Sequence, residues 1–246
     1  MGFMLHNAHT KLSHKIFTRT CPSILPYSLL QWSNIPVIKQ HCKPTMTTTE
    51  IDEVKPPSPI KLAHIVLRTS VEKYDTMVNF YKNFVGGVVI PHKNISFIRY
   101  DDEHHRIAIL CTDSIDNGPA HPTSPGLDHL CFTYPSLKEL GATYRIQKSR
   151  GLLPVWTTNH GPGTSMYYRD PDGNQVECQV DNFDNMEDAI GFIEGPEFKV
   201  NPIGVDFDPE ELFAKVDHGV DDRVLKKRPD IGPRATLPAN FERVMV

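Results

Sequence analysis

KLAHIVLRT (residues 61–69) and GLDHLCFTY (residues 126–134) decide the fold. Both read as strands, and each carries a histidine at the same place, 65 residues apart. With a period of two, Leu62, His64 and Val66 share one face of the first strand, and Leu127, His129 and Cys131 share the equivalent face of the second. Each run leads into a helix start, because Thr69 with Glu72 and Ser136 with Glu139 have the spacing of capping boxes. Tyr74, Met77, Val78, Tyr81 and Val85 then follow helical spacing, as do Leu137, Leu140 and Tyr144. Gly86-Gly87 end the first helix and Gly151 follows the second. Short strands come next: VVIP, SFIRY and HRIAILC in the first copy, LPVWTT, TSMYYR and NQVECQV in the second. The unit is β-α-β-β-β, used twice.

Around this core the chain changes character. Of 21 prolines, 13 fall in residues 1–60 and 182–246, which places the folded module between them. Residues 1–49 hold Lys11, Lys15, Arg19, Lys39 and Lys43 and no acidic residue, a bias that fits an organellar transit peptide. The rival reading is an upstream extension, since Met46 opens an ordinary polar start, MTTTEIDEVKPPSP. The expected location is therefore cytoplasmic, or mitochondrial if residues 1–45 are a transit peptide. Residues 1–59 are taken as a disordered or transit-like extension and linker, 60–182 as the repeat module, and 183–246 as an extension with one short helix over DPEELFAKV (208–216). The net charge of −4 gives no basic field for nucleic acid, and no apolar run approaches the roughly 18 residues of a membrane span. Five widely spaced cysteines without a CxxC read as reduced thiols.

Two β-α-β-β-β copies with matched histidines, followed by YYRDPDGNQVE (167–177), resemble the vicinal oxygen chelate superfamily, which includes glyoxalase I, extradiol catechol dioxygenases and antibiotic-resistance proteins. The resemblance spans about half the chain and implies an α+β fold in which both repeats form an open β-sheet cup around a divalent metal. The residues themselves supply a suitable set. His64, His129 and Glu177 make a two-histidine, one-carboxylate triad, which leaves positions open on the metal for two vicinal oxygens. Either histidine alone would read as a core or rim residue, and Glu177 could face water on an edge strand beside Gln175 and Gln179. The matched positions, and the place of Glu177 just after DPDGN, favour ligands.

The branch of the superfamily turns on three further features. Glyoxalase I usually takes a fourth ligand, commonly glutamate, from the last strand of the first copy, and HRIAILC (105–111) contains none. Extradiol dioxygenases carry an HHxLA-like pattern there, matched by DEHHRIA (102–108). That resemblance assigns His104 as the acid–base group, with His105 as the fallback. Relatives of the biphenyl-diol type also place a histidine and an S-x-Y around the seventh strand, and NHGPGTSMYYRD supplies His160 and Tyr167. The implied protein is an Fe(II)-dependent extradiol-type dioxygenase, with Mn(II) or Zn(II) as other metals the triad accepts, and with an aromatic diol and dioxygen as its partners. A metal-dependent isomerase or lyase on the same cup is the alternative, and a non-catalytic binding protein for a hydrophobic ligand the third. An open module with an uncovered sheet edge is expected to pair as a homodimer.

Overall fold

The computed structural model describes residues 57–113, 126–238 and 241. The N-terminal extension with Met46, most of the linker at 52–59, and Cys21 and Cys42 lie outside the described residues. The first copy is β1 (Ile65–Thr69), α1 (Tyr74–Phe84), β2 (Val88–His92), β3 (Ile95–Arg99) and β4 (Ile107–Cys111). The second is β5 (His129–Thr133), α2 (Leu137–Ser149), β6 (Trp156–Asn159), β7 (Gly163–Arg169) and β8 (Gln175–Asp181). In each copy the last strand returns to lie parallel to the first, β1 with β4 and β5 with β8, and the other pairings are antiparallel. The result is a sheet of order β1-β4-β3-β2 and a sheet of order β5-β8-β7-β6, confirming the α+β repeat architecture.

Each sheet has one apolar face, because strand residues alternate sides. In the second sheet Leu130, Met166, Tyr168, Val176, Cys178 and Val180 point into a core shared with Met77, Tyr81 and Phe84 of α1 and with Leu137, Leu140 and Tyr144 of α2. Each such side chain contributes about 1.5–3 kcal/mol by leaving water. The opposite face of that sheet carries His129, Glu177 and Tyr167, and the candidate site follows from this alternation.

The DPDGN segment is a tie between the copies. The Asp170 carboxylate accepts hydrogen bonds from the backbone N–H of Asp172 (3.0 Å) and Asn174 (2.8 Å), from Asn174 Nδ2 (2.8 Å), and from the Tyr81 hydroxyl of α1 (2.9 Å). Gly173, at φ +86°, supplies the left-handed residue the turn needs. Lys73, at the start of α1, donates to the Pro171 carbonyl. Helix α1 therefore fixes the β7–β8 hairpin, and with it the strand that bears Glu177.

Two local expectations need correction. The Ser136–Glu139 box forms at α2, with Ser136 Oγ accepting from the Lys138 N–H at 3.1 Å. The Thr69–Glu72 box does not start α1. That helix begins at Tyr74 after a turn closed by Lys73 N–H to the Ser70 carbonyl, and Thr69 Oγ1 is buried without a partner. The C-terminal segment is also richer than one helix. Besides α5 (Pro209–Asp217), capped by Asp208, it holds α3 (Met186–Glu194), α4 (Pro196–Val200), β9 (Val205–Asp206) and α6 (Asp222–Leu225). Strand β9 extends the second sheet beyond β6, and α5 packs Phe213 against α2. These elements are short and take their stability from docking, so neither proline content nor local periodicity announces them. Among the described residues no helix is long and apolar enough to cross a membrane, and Cys111, Cys131 and Cys178 are free thiols.

Candidate active site

On the polar face of the second sheet, register places Cys131, Glu177, Tyr167 and Trp156 side by side across β5, β8, β7 and β6. His129, two residues before Cys131, lies on the same face. Its Nε2 donates to Glu177 Oε2 at 3.0 Å and its Nδ1 to Asp128 Oδ1 at 2.8 Å. The Glu177 hydrogen bond raises the imidazole to a pKa of about 9, so both nitrogens carry protons at neutrality. Burial, the largest single influence, would raise the Glu177 carboxyl, but the His129 hydrogen bond, Ser165 and the nearby His129 and His160 rings together outweigh it and hold the group at about 2. The pair is thus an imidazolium facing a buried carboxylate.

Tyr167 stacks on Trp156, with ring centroids 5.0 Å apart, and meets the His129 ring edge-on at 5.6 Å. Burial, then the neighbouring Glu177 carboxylate, push its hydroxyl far above the ordinary tyrosine value and keep it protonated. The hydroxyl lies 2.9 Å from His160 Nε2, and His160 Nδ1 lies 2.6 Å from the Ile203 carbonyl oxygen. Burial lowers the His160 pKa, which favours the neutral ring. A carbonyl can only accept, so Nδ1 bears the hydrogen and Nε2 accepts from Tyr167.

The first copy contributes from across a cleft. His64 precedes β1 and lines, with His129, a cleft of about 380 Å³ between the β1 and β5 sides of the two sheets. The His105 ring packs on His64 at 4.3 Å and on Phe97 at 4.8 Å. His104 is farther from His64, at 6.2 Å, and its side chain is 67% exposed. The pair sits in the bend ahead of β4, where strand alternation does not act, and the chain folds His105 rather than His104 against His64. Burial, then the nearby His64 and His104, lower the His105 pKa.

Sequence reasoning missed Arg106. Its guanidinium donates to the carbonyls of Leu62 (3.0 Å) and Ala63 (3.1 Å), just before His64, and to Asp101 Oδ2 (2.8 Å) in the loop that leads to His105. Its place directly after the paired histidines was the available signal. Asp128 was also missed, although it adjoins His129 in sequence.

The donors present suit a divalent ion of the Fe(II), Mn(II) or Zn(II) kind: two imidazoles and a carboxylate that is buried yet ionised. His129 and Glu177 come together. His64 does not join them, and among the described residues no three His, Cys, Asp or Glu side chains form a metal-sized cluster. The two sheets share no strand pairing, so the distance from His64 to the His129–Glu177 pair is set by packing across the cleft and not by a hydrogen-bonded ladder.

The sequence model of the glyoxalase/bleomycin resistance protein/dioxygenase superfamily matches residues 61–178. Biphenyl-2,3-diol 1,2-dioxygenase 2 of Rhodococcus globerulus is 40% identical over 150 residues, covering 61% of this chain and 77% of that protein. Biphenyl-2,3-diol 1,2-dioxygenase 3 of the same organism is 36% identical over 169 residues, covering 68% of this chain and 88% of the relative. A solved glyoxylase/bleomycin resistance protein/dioxygenase domain from Frankia sp. EAN1pec is 21% identical, with a TM-score of 0.42 over 50% of this chain and 99% of that one. The family match covers both repeats, and the two Rhodococcus proteins align over more than two thirds of their own length. The chain belongs to the glyoxalase/bleomycin resistance protein/dioxygenase superfamily.

Proposed function

We propose that this protein is an Fe(II)-dependent extradiol-type dioxygenase that opens the ring of an aromatic vicinal diol. The observation that carries the reading is the His129–Glu177 pair on adjacent strands, with His64 lining the same cleft from the other repeat. The names of the two Rhodococcus relatives support it. His64, His129 and Glu177 would hold the ion, which supplies a redox-active Lewis acid at which both diol oxygens and dioxygen can meet.

The remaining steps belong to the protein. Cleavage needs a base for a diol proton and an acid to return one as the O–O bond breaks. His105 takes that role in place of His104, because its ring lies against His64 while that of His104 packs on the outer side of His105, farther from His64 and mostly exposed. The lowered His105 pKa keeps the ring neutral near pH 7, ready to accept a proton. Tyr167 is protonated beside Glu177, its single hydrogen lies in the bond to His160 Nε2, and it becomes a donor to developing negative charge by turning from that bond. Trp156 and Phe241 shield this corner from water. Both oxygen atoms enter the product, a hydroxy-dienoic acid bearing an aldehyde or ketone.

The test is anaerobic loading with Fe(II), followed by oxygen uptake with a panel of catechols that includes biphenyl-2,3-diol. One oxygen consumed per ring opened, with a yellow product, is expected. Absence of uptake with every catechol, together with isomerisation of a hemithioacetal, refutes the assignment in favour of an isomerase on the same cup.

A further inference from the structure

The superfamily match ends at residue 178, yet the site continues beyond it. The Ile203 carbonyl that meets His160 Nδ1 comes from a turn between α4 and β9. That turn is closed reciprocally by one side chain: Asn201 Oδ1 accepts from the Gly204 N–H at 2.8 Å, and Asn201 Nδ2 donates to the Gly204 carbonyl at 3.1 Å. Gly204 has φ +114°, and a Cβ there would lie 2.5 Å from the Asn159 carbonyl oxygen, so the close approach of this turn to the β6 end requires glycine. Arg228 joins the two sides. Its Nη1 donates to the carbonyl of His160 itself (3.0 Å) and to that of Asn201 (2.7 Å), its Nη2 to that of Glu197 (3.0 Å), and its plane sits over the Phe192 ring at 4.8 Å.

One guanidinium therefore ties the loop that carries His160 to the turn that carries the hydrogen-bond partner of its ring. We infer that Arg228, acting through the Asn201–Gly204 turn, is the positioning residue that fixes His160 with its hydrogen on Nδ1, so that Nε2 is presented to the Tyr167 hydroxyl. The C-terminal segment is then part of the site. Arg228 donates its hydrogen bonds to the main-chain carbonyls of His160, Asn201 and Glu197, and none goes to the three candidate metal ligands. Its loss would leave metal uptake intact while releasing the His160 ring to exchange tautomers and turn away from Tyr167. This role rests on the dioxygenase reading for its effect on turnover, but the tautomer is a property of the chain alone.

The experiment uses the full chain labelled with ¹⁵N-histidine, with the His160 signals assigned by their loss in His160→Gln. In the metal-free wild type the long-range ¹H–¹⁵N spectrum should show His160 with a protonated Nδ1 and a bare Nε2. Arg228→Met, which keeps an apolar stem over Phe192, should bring the two nitrogen shifts together through tautomer exchange, and Arg228→Lys should partly restore them. In the Fe(II)-loaded enzyme Arg228→Met should lower kcat by about 10- to 100-fold with unchanged metal content, since misplacing a catalytic group by about 1 Å can cost 10²-fold. A wild-type spectrum with the hydrogen on Nε2 overturns the inference, even if Arg228→Met proves too unstable to study. A folded Arg228→Met with an unchanged His160 spectrum overturns it equally. If wild-type enzyme cleaves no catechol while the spectra behave as expected, the positioning role stands and the dioxygenase reading falls.

Discussion

In the metal-free protein, His129 is an imidazolium held by Glu177 on one nitrogen and Asp128 on the other. A cation that binds Nε2 must displace its proton, so apparent affinity should rise with pH until the imidazole titrates at about 9. Glu177, at about 2, is already ionised and contributes no slope near neutrality. Between pH 7.0 and 8.5 the expected slope is about one log unit of affinity per pH unit, roughly 30-fold in all, with about one proton released per ion. Stability of the metal-free chain should move the other way. A histidine whose folded value is raised contributes stability that is full below its unfolded value, about 6.5, and is lost as pH rises through about 9. The depressed Glu177 contributes stability that is full above about 4.5 and lost as pH falls toward about 2. Over pH 7.0–8.5, therefore, the thermal midpoint of the metal-free protein should fall while its affinity for Mn(II) climbs. Anaerobic Mn(II) titration followed by electron paramagnetic resonance gives the first quantity. Calorimetry in buffers of different ionisation enthalpy counts the protons, and a thermal scan gives the second quantity. Asp128→Asn, which removes one of the carboxylates that hold the imidazolium, should bring the affinity plateau to lower pH. Affinity that stays constant within two-fold, with no proton released, would refute the imidazolium–carboxylate account of the pair.

Tyr81→Phe removes a buried donor to Asp170 and should destabilise the protein by about 1–3 kcal/mol in chemical denaturation, with a loss below about 0.5 kcal/mol speaking against the hairpin tie. Gly141→Ala should destabilise although alanine is the better helix former by about 1 kcal/mol, because its Cβ would lie 2.7 Å from the Phe213 ring; a rise in stability would show that α5 yields freely. His105→Ala should reduce kcat by about 10²- to 10⁴-fold without loss of metal, whereas His104→Ala should stay within a few-fold of wild type, and the reverse pattern would return the role to His104.

How far the sequence reaches depends on the range of the force that places each residue. The two β-α-β-β-β copies were legible because burial of a sheet face imposes a period of two, and burial of a helix face a period near 3.6, on contiguous residues. The same alternation put His129 and Glu177 on one face, and strand register then brought them into contact. Choosing between His104 and His105 was beyond that rule, since both precede β4 in a bend whose path is set by Arg106 reaching back to the carbonyls of Leu62 and Ala63. The partner of His160 was less accessible still. It is a main-chain carbonyl 43 residues away, and a carbonyl leaves no trace in the identity of its own residue. What sequence does record there is the support: a glycine at 204, where no Cβ fits, and an arginine at 228, whose several donors can gather three carbonyls from two separate segments. The candidate metal triad divides along the same line. Its two members within one sheet are placed by hydrogen-bonded ladders and meet, while His64, just ahead of the first strand of the other sheet, depends on packing across a cleft that no pairwise pattern in the sequence encodes.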